Sequence, residues 1–138
     1  MLDHLYGVEA RYCYVDYAAA AQQIVARCRR RSLVVFFTDL IDEDVSGELV
    51  RALRLLRPVH LPLCVVMEDP AVLQAATVPL ETEAHLFERA AGLELLNERR
   101  HLVERLHRNG ALVLQCPAEQ LSVQVVNRYL VLKARQTL

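Results

Sequence analysis

The sequence predicts an α/β fold, a three-layer sandwich in which helices cover both faces of a short parallel sheet. Three observations lead there. Three short runs, "LVVFF" (33–37), "LPLCVVM" (61–67) and "ALVLQC" (111–116), are apolar at successive positions rather than alternate ones, as in strands buried on both faces. Amphipathic segments separate them, so helix and strand alternate along the chain, the pattern of crossover connections onto a parallel sheet. The composition, 54% hydrophobic over 138 residues with a mean hydropathy of +0.17, supplies a full core for a single domain, 1–138.

The elements follow in order. The first dozen residues are poorly patterned. Asp16 is a good N-cap for a helix from about Tyr17 to Arg30, because its carboxylate can accept from the free N–H groups of the first turn. Four alanines favour that helix and let it pack closely on a sheet. After the first strand, a helix over about 45–57 places Val45, Leu49, Leu53 and Leu56 on one stripe, and Pro58 ends it. The second strand closes on Glu68 and Asp69. A long helical segment then runs from Glu81 to Asn109, with Phe87, Ala91, Leu95, Leu102 and Leu106 roughly on one face and a bend expected near Gly92. Asn109-Gly110 stops it. Pro117 opens a last helix that groups Val126, Tyr129, Leu130 and Lys133.

The formal net charge is −1, and fifteen of the 16 basic residues are arginine, Lys133 being the one lysine. "RCRRR" (27–31) is the densest basic run. It suits a phosphate or an acidic partner, and it equally suits the solvated last turn of a helix, where cations oppose the negative dipole end. The balanced net charge argues against nucleic acid. No apolar run reaches the ~18–20 residues needed to span a bilayer, and "MLDHLYGVEAR" lacks the basic-then-apolar order of a signal peptide. A cytoplasmic location without membrane contact is expected. Cys13, Cys28, Cys64 and Cys116 form no C-x-x-C pair; Cys64 and Cys116, inside strands, are expected to be buried thiols.

Chemistry in an open parallel sheet collects beyond the carboxyl ends of the strands. "SLVVFFTDLIDED" brings Thr38, Asp39 and Asp42 there, and "LPLCVVMEDP" brings Glu68 and Asp69. These oxygens suit a hard cation such as Mg²⁺ completed by waters; alternatively Asp42 or Asp44 caps the next helix while Asp39 binds loop amides. Two Glu-x-x-His pairs, Glu98/His101 and Glu104/His107, resemble carboxylate-bridged metal motifs, but six residues turn a helix through roughly 240° and point the pairs to different faces. There is no glycine-rich phosphate loop and no G-x-S-x-G elbow. A receiver domain would need a strand-end lysine, and Lys133 lies inside the last helix.

Taken together, "RRRSLVVFFTDLIDED", "LPLCVVMEDP" and "RLHRNGALVLQCPAEQLSVQVVNRYLVLKAR" resemble the carboxy-terminal half of the domain of unknown function 58 family. Its members carry a von Willebrand factor A-like domain, a Rossmann-like fold. The likeness runs from about Asp16 to the end and rests most on Thr38-Asp39-Leu40 and "VNRYLVLKAR". It implies a divalent cation bound through three loops, and Asp39 matches the third. The second would fall near Asp16-Tyr17, where no threonine stands, and the Asp-x-Ser-x-Ser loop is absent. Asp39 therefore implies a partial metal site at most, with Mg²⁺ expected only in a full-length domain.

The same likeness implies a non-enzymatic adaptor or assembly partner of a MoxR-type AAA+ ATPase, with Thr38, Asp39, Asp42, Glu68 and Asp69 as the recognition surface. The parent protein would in some members be membrane-anchored. Lacking its first-strand neighbour, the 33–38 strand becomes an edge, and Val34, Val35, Phe36 and Phe37 predict self-association. The competing expectation is a Mg²⁺-dependent phosphoryl-transfer or hydrolytic enzyme using Asp39, Asp42 and Glu68. A third is a fragment with no independent role.

Overall fold

The structure, a computed structural model, describes residues 15–38 and 43–135. Helix α1 (Tyr17–Arg27) starts at Asp16, whose carboxylate accepts from the Ala19 N–H at 2.8 Å. Strand β1 (Leu33–Thr38) leads toward α2 (Glu43–Leu56), and β2 (Leu61–Glu68) follows. A helical pair comes next, α3 (Pro70–Thr77) and α4 (Glu83–Arg108). Strand β3 (Leu112–Pro117), a single 3₁₀ turn (Ala118–Gln120) and α5 (Leu121–Ala134) complete the described chain.

The three strands form one parallel sheet in the order β1-β2-β3. Leu33 lies opposite Leu61 and Thr38 opposite Val66; Leu63 lies opposite Leu112 and Glu68 opposite Pro117. Pro117 has no N–H for a ladder, and it stands at the last position of an outer strand, where none is required.

Successive strand residues point to opposite faces, and that splits the core in two. Val34, Phe36, Cys64 and Val66 face a layer made by Ala21 of α1, the α2 stripe and the end of α4. That stripe is Leu49, Ala52, Leu53 and Leu56, all fully buried. Burial of each large side chain stabilises the fold by about 1.5–3 kcal/mol relative to exposure. Tyr17 meets Phe36 edge-on, with ring centroids 6.0 Å apart. On the other face, Leu33, Val35, Leu63, Val65, Leu112, Leu114 and Cys116 pack with Leu121 and Val125 of α5. Helices thus lie against both faces of a small parallel sheet, an α/β arrangement with five helices among the described residues.

Three details differ from the sequence expectation. Helix α1 ends at Arg27 rather than Arg30: Cys28 is already extended (φ −99°, ψ 99°), so Arg29 to Arg31 belong to the connection and not to a last helical turn. Helix α3 was not anticipated. Its local signals are strong, an Asp69 N-cap accepting from the Ala71 N–H at 2.9 Å and Pro70 at the first position.

The third difference is the buried line of α4. It runs through half-buried His85, Arg89, Leu96 and Arg99 and buried Gly92, Val103 and Leu106, leaving Phe87, Ala91 and Leu95 exposed. The cause is α3, which packs chiefly on α4 and brings its backbone against Gly92. Only Leu102, Val103 and Leu106 of α4 reach the sheet core. At 26 residues α4 is ~39 Å long, against ~20 Å for six-residue β3.

Cys64 and Cys116 are buried, as their strand positions predict. Burial pushes the Cys64 thiol up to about 12. Cys116 is raised by burial and secondarily by the Glu68 carboxylate. The unfolded thiol ionises first, so the stability held below pH 9 falls as pH rises from 9 toward 12 for Cys64. The expected slope is about 1.4 kcal/mol per pH unit from this thiol, reduced in Cys64→Ala; urea midpoints measured across that range test it.

Candidate interaction site

The carboxyl end of the sheet is where a parallel fold usually binds, because the strand-to-helix connections gather there. Thr38 closes β1 there and is 5% exposed and already engaged. Glu68 closes β2 and is exposed. Asp69, read from sequence as part of a recognition surface, spends one carboxylate oxygen on capping α3. Asp39 and Asp42 lie outside the described residues, while Asp44 falls in the first turn of α2.

Among the described residues no three His, Cys, Asp or Glu side chains come together to hold a metal ion. Glu98, His101, Glu104 and His107 are all exposed on α4. The described donors at the strand ends, an engaged threonine, a capping aspartate and one glutamate, do not fit a cation centre. No chemical step is derived through one.

The apolar surface is more developed. Strand β1 lies at one end of the described sheet, with β2 its strand neighbour. Val34 and Phe36 are taken into the core beneath α1 and α2; Val35 is half-buried against the α5 side. Phe37, on the same face as Val35 by alternation, is 51% exposed.

Helix α5 presents two apolar sides. Leu121, Val125 and Leu132, at spacings of four and seven residues, form the inward line with half-buried Arg128. Val123, Val126 and Leu130 point away from it, Val126 at 55% and Leu130 at 54% exposed. Tyr129 borders this outer line, with the Lys133 Nζ 5.8 Å from its ring centroid. The sequence grouping of Val126, Tyr129, Leu130 and Lys133 is thus an outer flank rather than the packing stripe. Periodicity detects a stripe but does not say which of two stripes meets the sheet. No helix among the described residues is long and apolar enough to cross a membrane.

The opposite end of the sheet gathers residues that are dispersed along the sequence. In a parallel sheet every helix-to-strand connection falls at the amino end of the strands, so "RCRRRS" (27–32), "RPVH" (57–60) and "RNG" (108–110) share one edge. A cleft of about 460 Å³ lies there between Arg54, Arg57, Pro58, Arg108 and Asn109. The signal was available, since the order of elements already implied that these arginines would meet.

No protein-family model, curated protein or solved structure matches the chain.

Proposed function

We propose that this chain is a non-enzymatic protein-interaction domain of von Willebrand A-like type, an adaptor or assembly partner whose natural partner is a MoxR-type AAA+ ATPase. One observation carries the reading: α5 is apolar on two sides and the described chain covers only one. An apolar stripe left exposed beside the packed one marks an interaction surface. The uncovered side belongs to "VNRYLVLKAR", one of the two stretches on which the family likeness most depends. Phe37 extends apolar surface on the same side of the sheet, which favours a protein partner over a small polar substrate. Self-association through β1 and this flank belongs to the same reading, and a homo-oligomer is its expected form in solution.

The decisive measurement is affinity for a purified MoxR-type ATPase, with sedimentation velocity alongside. The double variant Val126→Asp, Leu130→Asp is expected to weaken binding at least about tenfold and to shift any oligomer toward monomer, with little change in Tm since both side chains are exposed. A chain that is monomeric at every concentration and binds no such ATPase would refute the reading.

A further inference from the structure

The three arginines at the amino end of the sheet are held in a way that solvation alone does not explain. Helices α2 and α4 both end there, and one cation at each helix end would satisfy the dipole. Instead the three side chains line one shared gap. The Arg54 Nε donates to the Asn109 Oδ1 at 2.9 Å, and the Asn109 amide nitrogen donates to the Arg105 carbonyl at 2.8 Å, so the Asn109 side chain is oriented from both sides. The Arg108 Nε donates to the Glu104 carbonyl at 3.4 Å.

Arg57 lies flat across Gly110. The Arg57 Nε lies 2.5 Å from where a Gly110 Cβ would stand, and the residue has φ +82°, a conformation that favours glycine. The Nε atoms of Arg54 and Arg108 make the positioning bonds, which leaves the terminal amino groups for a ligand. No carboxylate lines the cleft. The three helix-to-strand connections, 28–32, 57–60 and 109–111, contain no acidic residue.

Three guanidinium groups around one cleft that no carboxylate lines repel one another, and an anion relieves that repulsion. We propose that the cleft between Arg54, Arg57, Arg108 and Asn109 binds a small di- or polyphosphate anion. Guanidinium forks match phosphate oxygens bidentately. Three of them suit a ligand of charge about −2 to −4, and the volume of about 460 Å³ lies in the range of small-molecule sites, beyond what a single phosphate fills. Arg27 at the end of α1 and Arg29 and Arg30 on the connection after it are exposed and add a positive field that draws anions to this edge. Glu68 and Asp69 stand at the opposite end of the strands. The site is separate from the apolar flank of α5, and neither reading depends on the other.

The test is an amide NMR titration of the whole chain with inorganic pyrophosphate at about 0.15 M salt, where diffuse surface attraction is largely screened. The Gly110 amide and the Asn109 side-chain amide are expected to shift saturably, with submillimolar affinity. Arg57→Gln and Arg108→Gln each weaken binding by about tenfold or more, and Arg57→Lys, which keeps the charge and loses the fork, gives an intermediate loss. Arg100→Gln, exposed on α4 outside the cleft, leaves affinity unchanged. Circular dichroism of each variant establishes that it is folded. The proposal is overturned if Gly110 and Asn109 do not shift, if Arg100→Gln loses as much affinity as Arg57→Gln, or if only a single-stranded oligonucleotide binds.

Discussion

Gly92→Val is expected to detach α3 from α4. A Cβ at this position would lie 2.5 Å from the Ala76 nitrogen and 2.9 Å from the Ala75 carbonyl carbon. Both are backbone atoms, so no side-chain rotation relieves the overlap and the helices must separate. Glycine inside a helix costs about 1 kcal/mol relative to alanine; here that cost is the condition of the close crossing. Overpacking by a branched side chain is expected to destabilise the pair by about 3 kcal/mol. Because α3 packs chiefly on α4, the loss is local. Amide exchange of α3 should accelerate about a hundredfold while the strands keep their protection. Gly47→Ala in α2 is the control of opposite sign. Nothing lies within 4 Å of its Cβ position, and helix propensity raises stability by up to about 1 kcal/mol. Equal exchange rates in α3 before and after Gly92→Val would mean that the crossing is not as close as described.

Leu53→Ala should produce the largest global loss. Leu53 is fully buried in the α2 stripe between that helix, α1 and the sheet, in the same cluster as Val34, Phe36 and Cys64. Removing its isobutyl group gives up transfer energy and leaves a cavity that a tightly packed interface cannot collapse, about 2–5 kcal/mol in all. For a chain of this size that is a fall in Tm of roughly 10 °C. Chemical denaturation should show a lower midpoint at unchanged slope. A loss under about 1 kcal/mol would place α2 off the sheet.

How far the fold was legible depends on which residues are asked. The three strands were legible because 33–37, 61–67 and 111–116 are short, almost wholly apolar runs bounded by polar residues, glycine or proline. Asp16 was legible as a cap because a cap is a contact three residues long. Helix α3 has its sequence signal in Asp69-Pro70 alone, because eight residues carry too few turns for periodicity to speak.

The candidate interaction site was legible only in part. Phe37 and the Val126–Leu130 grouping were singled out, but their roles were not separable by pattern. Val34 and Phe36 turn inward, Phe37 turns out, and the α5 grouping faces away from the sheet. Which apolar stripe is buried depends on what stands opposite, and no single segment contains that information.

By itself the sequence determined the α/β class, the parallel order implied by alternating helices and strands, the burial of Cys64 and Cys116, and the start and stop of most elements. Those follow from periodicity, capping and punctuation, all of them local. The tertiary structure decided the rest. It set the face of α4 that meets α3 at Gly92 and the second uncovered side of α5, and it brought Arg54, Arg57 and Arg108 together around one cleft. Arg54 and Arg108 are 54 positions apart in the chain, and the physical reason they meet is that parallel strands return every helix end to one edge of the sheet.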